Sequence, residues 1–280
     1  MGSGDSLIDV INRHLADQKV RLPAFHSTAL RIQREIANQD PDIRLIEKLI
    51  VGDQSLTGEV LSVSNSSFYK GLRQVATVRD AIIRLGINEV SNIVTMVTHE
   101  HHFRSNDPFI HQIMRSLWRH SVGCALGAHW LARQTGFEGS SNETFFAGLL
   151  HDVGKLFILT VIDDLKHSGR MSTQPTGAIV QEAMTALHTE YGSSLMRHWN
   201  LPDKYCLVAR NHHAETIDAN DFLLATVRLA NRACRKMGIG LRQDSTIVLS
   251  ACPEAEQLHL SELDLARLEV RLEDSQVFGS

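Results

Sequence analysis

The chain has 280 residues, of which 43% are hydrophobic and 21% are charged, and its formal net charge is -4. This composition is typical of a globular protein with enough apolar side chains for a sizeable core. Because the chain has no excess of basic residues to neutralise phosphates along a duplex, we expect no nucleic-acid binding through bulk charge.

The N-terminal half carries apolar residues at helical spacing. Asp40 followed by Pro41 predicts a helix start, with a capping carboxylate before a proline at the first helical position, and Gly52 predicts its end. Thr77 and Asp80 have the spacing of a capping box. A first helix is predicted with Leu7, Ile8, Ile11 and Leu15 on one face. Pro23 is predicted to break the chain. Further helices are predicted over residues 30–37, over 56–63, from Thr77 to Gly86, and over 88–102.

The C-terminal half continues in helical period. Asp107 and Pro108 predict the start of a long helix that runs to about Gln134. The other predicted helices cover residues 142–159, 179–199 with a bend at Gly192, 202–212 and 222–237. A last amphipathic helix is predicted after a cap formed by Ser261 to Asp264. We expect this helix to pack on the core of its own chain. The one β-branched run, Thr246 to Leu249, is too short to anchor a sheet. We therefore predict an all-α fold with two helical lobes that share one interface.

Targeting and cysteine patterns are sparse. The four cysteines, Cys124, Cys206, Cys234 and Cys252, form no Cys-x-x-Cys pair, which argues against a disulfide framework and against a cysteine zinc cluster. No apolar run approaches the roughly 18 residues that cross a bilayer, and no signal peptide opens the chain. The residues 1–6 fit the loose myristoylation pattern, which we interpret as a cloning scar or an N-terminal tail. We expect a cytoplasmic protein with reduced, buried thiols and no contact with a membrane.

The sharpest local feature is the run from Gly148 to Lys155, in which an apolar helical segment ends in His151 and Asp152. Neighbouring helical positions lie about 100° apart, so both side chains can reach one ion only where the helix bends or faces a cavity. Gly154 would allow such a bend. Asp152 could bridge two metal ions through its two oxygens, and His151 could bind one ion through a ring nitrogen.

Most of the 15 histidines lie between His99 and His213. His120, His188 and the adjacent pair of His212 and His213 follow apolar helical stretches, so each could face a shared interior. A buried aspartate beside a histidine is costly unless it is paired or metal-bound. The other histidines have a plainer interpretation as hydrogen-bonded core groups or solvated surface groups. They are His14, His26, His99, His101, His102, His111, His129, His167, His198 and His259, and for the group at 99–102 we expect a solvated helix end.

The segment from Gly148 to Lys155 resembles the H-D-x-G-K motif of the HD superfamily of metal-dependent phosphohydrolases. The resemblance implies metal ligands at His120, His151, Asp152, His188, His212 and His213. It also implies that Lys155 contacts a substrate phosphate. The expected fold is the HD-type helical bundle with an N-terminal helical lobe.

The remaining motifs resemble the HDOD branch, a bacterial signalling offshoot of that superfamily. Asp53 to Tyr69 is similar to its D-P-x-L-x-x-x-x-L-x-x-x-N-S-x-x-Y stretch, apart from Gln54 in place of proline. Shorter matches lie at Leu22-Pro23, at 81–86, at 118–121, at 146–151 and at 199–202. The match spans roughly residues 20 to 235. We therefore predict an N-terminal helix at 1–20, an HDOD domain at 21–235 with lobes at 21–105 and 106–235, and a C-terminal extension at 236–280.

One departure bears on function. Asn231 stands where the superfamily has its last metal-binding aspartate, and a neutral amide is a weaker ligand that removes one negative charge. The implied set of Asp152, His188, His212 and His213 is intact. The resemblance implies one or two divalent transition metal ions, and nitrogen and oxygen ligands suit Fe, Mn, Zn, Co or Ni.

Two functions follow from the resemblance. The preferred hypothesis is a signal-transduction or regulatory module with a structural or sensory metal, acting through a signalling protein partner or a small phosphorylated ligand. The alternative is a phosphohydrolase that acts on a nucleotide, a cyclic dinucleotide or another phosphoester, with Asp152 and Lys155 in catalytic roles. Asn231 counts against full activity, and nothing after His213 resembles the Gly-Tyr-Pro loop of the cyclic-dinucleotide enzymes.

Overall fold

A computed structural model describes residues 6–16, 25–69, 71, 73–136, 140–171, 174–216 and 218–275. Within these ranges the chain forms helices and no strand, which confirms the all-α prediction. The helices are α1 Leu7–Ala16, α2 Ser27–Ile36, α3 Ile43–Val51, α4 Gln54–Ser64, α5 Val78–Leu85, α6 Ile87–Glu100, α7 Pro108–Gln134, α8 Ser141–Leu150, α9 Val153–His167, α10 Gly177–His198, α11 Asp203–Asn211, α12 Phe222–Lys236, a 3-10 turn Leu249–Ala251, α13 Pro253–Gln257 and α14 Glu262–Ser275. The predicted break at Pro23, the Leu22-Pro23 motif and the extreme N-terminal pattern lie outside the described residues.

Capping side chains set several helix starts as predicted. Thr77 and Asp80 form a reciprocal capping box at α5, and Asp107 accepts hydrogen bonds from the first backbone amides of α7. The start of α3 was predicted wrongly at Asp40 and Pro41. The helix begins at Ile43 because the carboxylate of Asp42 accepts hydrogen bonds from the amides of residues 44 and 45.

The single helix predicted over residues 142–159 is two helices. The chain breaks between α8 and α9 at His151 and Asp152, and the new helix begins directly after them. Gly154 then lies against the backbone of α10, where an added Cβ would overlap the His188 carbonyl and lie 2.8 Å from the Gly192 nitrogen. This pair of glycines lets α9 and α10 touch backbone to backbone, while α10 itself runs unbroken through Gly192.

Two hydrophobic clusters fill the interior of the part of the chain that the structure describes. The larger cluster joins the N-terminal helices to α8, α9, α10 and α11, and includes the fully buried Trp118 of α7. The second cluster joins α7 to α12, α13 and α14. Leu265, Leu268 and Leu272 of α14 are buried against α7, which confirms that the last helix packs on its own chain.

Among the described residues, one stretch, Ser141–His167, is long and apolar enough to cross a membrane. The search for uninterrupted apolar runs missed it because His151, Asp152 and Lys155 lie in its middle. In the fold, 89% of its apolar window is buried inside the protein. Its hydrophobicity therefore serves the core, and its polar break carries the side chains described below.

His99 is buried, contrary to the predicted solvated helix end. Only 3% of it is exposed, and its ring lies 5.3 Å from that of Phe103 and 6.3 Å from that of Trp118 between centroids. Its Nε2 has no hydrogen-bond partner. Burial lowers the pKa of His99 to about 3, so this histidine is neutral in the fold.

This neutral histidine makes stability depend on pH. In the unfolded chain the pKa of His99 is about 6.5, so below that pH His99 binds a proton in the unfolded state but not in the folded state. Its contribution is complete above pH 6.5 and falls by about 1.4 kcal/mol per pH unit as the pH drops toward 3. We expect His99→Leu to reduce the pH slope of the free energy of unfolding, measured in urea between pH 6.5 and 5, by roughly one proton. The exposed His198→Leu serves as control, and an unchanged slope in His99→Leu would contradict the prediction.

Candidate metal centre

Asp152 lies at the centre of a group of histidines contributed by four elements. His120 comes from α7, His188 from α10 and His212 from the end of α11, while His151 precedes Asp152 in the turn between α8 and α9. From Asp152 Oδ2, the Nε2 atoms of His120 and His151 lie at 3.5 and 3.4 Å. From Asp152 Oδ1, the Nε2 atoms of His188 and His212 lie at 3.6 and 3.3 Å. The two oxygens therefore face two different pairs of imidazoles.

Each of these four rings is oriented by a backbone carbonyl at its Nδ1. A carbonyl oxygen can only accept, so each Nδ1 carries the proton and donates it, and each Nε2 is left with a lone pair directed at the carboxylate. The Nδ1 to oxygen distances are 3.0 Å for His120 to Ile239, 2.8 Å for His151 to Gly148, 3.2 Å for His188 to Thr185 and 3.0 Å for His212 to Ala209.

Within the group formed by the four imidazoles and the carboxylate, the facing atoms accept hydrogen bonds and none donates to another, while Lys155 Nζ donates to Asp152 Oδ2 from outside the group. His188 Nε2 and His212 Nε2 are 3.3 Å apart, and His151 Nε2 and Asp152 Oδ1 are buried without a hydrogen-bond partner. The separations exceed the usual 2.7–3.2 Å of a hydrogen bond. They match the roughly 2.8–3.6 Å between two ligands that each lie about 2.0–2.2 Å from one ion. The donor set thus fits a divalent transition metal.

The charge state of the cluster also suits a metal. Burial lowers the pKa of His120, lowers that of His151 well below its usual value, and lowers that of His188 to about 4. Burial alone would raise the pKa of Asp152, but the charge of Lys155, whose Nζ lies 2.6 Å from Oδ2, holds it well below its usual value. An ionised Asp152 beside neutral His120, His151 and His188 is the protonation state that binds cations.

The candidate ligands form two groups that share Asp152. In one group the ligand atoms of Asp152, His188, His212 and His213 lie within 4.8 Å of one another, and in the other those of His120, His151 and Asp152 do. The structure thus brings together the six side chains named from the sequence as candidate metal ligands, which are Asp152 and five histidines. His213 is the exposed member, with its ring centroid 4.2 Å from that of His212.

A cavity of about 150 Å³ opens beside the cluster. Its lining includes the predicted residues His120, Lys155, His188, His213 and Asn231, and side chains that the sequence analysis missed, namely Leu117, Gln181, Thr185, Arg235, Leu241 and Arg242. Helical spacing could have found some of these, since Arg235 lies one turn after Asn231 and Thr185 one turn before His188. Arg242 follows α12 in a loop and gave no signal in the sequence.

Solved structures show the class of fold. An HDOD domain protein of unknown function from Geobacter sulfurreducens superimposes with a TM-score of 0.73 at 24% identity, covering 96% of this chain and 95% of that one. A "Putative metal-dependent phosphohydrolase" from Shewanella amazonensis SB2B gives a TM-score of 0.70 at 18% identity, covering 98% of each chain. These similarities show that the chain shares the fold of these two proteins.

A match to a protein-family model shows the family. The HDOD domain model matches residues 22–215, and the chain therefore belongs to the HDOD family. An uncharacterized protein from Treponema pallidum (strain Nichols) is 25% identical over 230 residues, which are 79% of this chain and 44% of that protein. The chain thus spans less than half the length of this relative.

Proposed function

We propose that this protein is a signal-transduction module of the HDOD family, with its domain over residues 21–235, that retains a transition-metal site of the HD type. The observation that carries the proposal is the convergence of four imidazole Nε2 lone pairs on the buried carboxylate of Asp152. Lys155 supplies a cation at Oδ2, but Asp152 Oδ1 and His151 Nε2 are buried without a hydrogen-bond partner. Such acceptors are costly to bury unless a cation lies among them.

Different side chains of the site would bind metal at its two positions. Asp152 would contribute to both positions, with His120 and His151 on its Oδ2 side and His188, His212 and His213 on its Oδ1 side. Asn231 lines the cavity together with His120, and as a neutral amide it would be a weak ligand. Bound Fe, Mn, Zn, Co or Ni would supply a Lewis acid that attracts a phosphoryl oxygen.

The cavity supports a small phosphorylated ligand. Lys155, Arg235 and Arg242 give its lining a positive charge, which favours an anion. Its volume of about 150 Å³ is below the roughly 300–1,000 Å³ of pockets that enclose a drug-sized ligand. We therefore propose that a phosphoryl group enters the cavity while the rest of the ligand stays outside. We further propose that the module acts in the cytoplasm through a signalling protein partner, as the family resemblance implies.

Metal analysis tests the site directly. After loading with Fe, Mn or Zn and removal of free metal, we expect at least one equivalent in the wild type by elemental analysis. His188→Ala removes one Nε2 ligand, and we expect it to hold metal at least about 10-fold more weakly. His167→Ala, an exposed histidine at the end of α9, is the matched control and keeps the wild-type content. A wild type that remains metal-free after loading contradicts the proposal.

The second candidate function is phosphohydrolysis. Lys155 favours it, because its ammonium group lines the cavity and lies 2.6 Å from Asp152 Oδ2, where it could stabilise charge on a phosphoryl group. We prefer the regulatory function because Asn231 replaces a charged ligand. The metal-loaded protein is therefore expected to release no phosphate from nucleotides or generic phosphoesters above a metal-free control. Turnover that disappears in Lys155→Ala would replace the regulatory proposal with the enzymatic one.

A further inference from the structure

Two buried thiols lie beside His120, on the side of the site where Asn231 replaces the superfamily's aspartate. Cys124 follows His120 by one turn of α7, and Cys234 follows Asn231 by one turn of α12. The two sulfur atoms and a ring nitrogen of His120 lie within 4.8 Å of one another. The sequence argued against a cysteine metal cluster because it has no Cys-x-x-Cys pair, but the packing of α12 on α7 brings the distant thiols together.

The positions of these groups are fixed by the core. Both cysteines are 0% exposed and neither forms a disulfide. Cys234 Sγ packs on the backbone of α7 at Gly123, where an added Cβ would lie 3.0 Å from the sulfur. His120 donates its Nδ1 proton to the carbonyl of Ile239 at 3.0 Å, which leaves its Nε2 lone pair for a ligand.

The geometry suits a soft cation. Cys124 Sγ lies 3.5 Å from His120 Nε2. A thiolate about 2.3 Å and an imidazole nitrogen about 2.0–2.1 Å from one tetrahedral zinc ion would be about 3.5–3.6 Å apart. Thiolate ligands favour Zn over the harder Mn, whereas a carboxylate with imidazoles accepts either.

We infer that the metal position on the His120 side of the site is a thiolate site, with His120, Cys124 and Cys234 as ligands and Zn as the preferred ion. The inference rests on the proposed metal centre and adds two ligands and a metal preference to it. Where Asn231 removes a hard anionic ligand, Cys124 and Cys234 supply soft ones. The two metal positions then differ in kind, since the Asp152, His188, His212 and His213 group has only nitrogen and oxygen donors.

Co(II) substitution tests the inference by spectroscopy. Co(II) titrated into the metal-free full chain, kept reduced by a phosphine, is expected to give a near-ultraviolet thiolate-to-metal charge-transfer band. We expect Cys124→Ser and Cys234→Ser each to lose about half of the band and the double variant to lose all of it, because one thiolate is removed in each case. Cys206→Ser, which changes another buried free thiol, is the matched control and retains the band.

X-ray absorption of the Zn-loaded wild type needs no variant and is expected to show sulfur neighbours at about 2.3 Å. Co(II) binding without a charge-transfer band, or a band that survives in the double variant or disappears in Cys206→Ser, would overturn the thiolate site. If the wild type binds Co(II) without that band and His188→Ala weakens the binding, the metal centre stands without the thiolates. If the wild type binds no Co(II), both proposals fail.

Discussion

Replacing Asp152 with alanine is expected to weaken metal binding at both positions of the centre and to abolish it at the position formed with His188, His212 and His213. Its Oδ2 faces His120 and His151 and its Oδ1 faces His188 and His212, so the two groups share this carboxylate. Since loss of a group that merely orients a ligand weakens metal affinity about 10–100-fold, we expect loss of this shared ligand to exceed about 100-fold. Elemental analysis of the loaded and desalted variant measures the effect.

Thermal unfolding with and without metal provides a second measurement of the same variant. A metal present at 100 times its dissociation constant stabilises the fold by about 2.7 kcal/mol. We expect that shift in the wild type and in the control Asp164→Ala, whose side chain is exposed on α9, and a smaller shift in Asp152→Ala. If Asp152→Ala keeps the metal content and the metal-dependent stabilisation of the wild type, the carboxylate is not a ligand.

Replacing Gly154 with alanine is expected to destabilise the fold by about 3 kcal/mol or more, the upper range for added atoms in a packed core. The new Cβ would overlap the backbone carbonyl of His188 and lie 2.8 Å from the Gly192 nitrogen. Neither obstacle is a flexible side chain, so α9 and α10 must separate. Because His188 and Asp152 lie on opposite sides of this contact, we also expect weaker metal binding. Urea unfolding measures the loss of stability.

Gly58→Ala is the matched control for this substitution. Gly58 lies in the interior of α4, and an added Cβ there meets nothing within 4 Å, so alanine should stabilise the protein by about 0.5–1 kcal/mol. Gly192→Ala, whose Cβ would lie 3.1 Å from the Gly154 nitrogen, should fall between the two and remains measurable if Gly154→Ala does not fold. Equal stability of Gly154→Ala and the wild type would show that the two helices are free to separate.

The substitutions at Asp152 and Gly154 connect the fold to the site. The break between α8 and α9 directs His151 and Asp152 inward, and the contact between Gly154 and α10 brings His188 within reach of the same carboxylate. The proposed metal centre, built from four elements, therefore depends on one position at which a side chain would not fit.

The sequence by itself determined the features that depend on near neighbours in the chain. The capping box at Thr77 and the cap at Asp107 need only residues within one turn, and both were confirmed. The six candidate ligands were also named from sequence, because the His-Asp motif and the family resemblance specify positions rather than contacts. The cap that begins α3 was placed two residues early, since Asp40 and Asp42 are both suitable capping residues and the local pattern does not choose between them.

Only the tertiary structure decided which side chains meet across different helices. His99 looked like part of a solvated helix end, but Phe103, Trp118 and Phe25 enclose it. Cys124 and Cys234 are 110 positions apart and meet because α12 packs on α7, and Arg242 reaches the cavity from a loop. Periodicity reports which face of a helix is apolar, whereas the partner of that face is set by packing between distant segments, which no local pattern encodes.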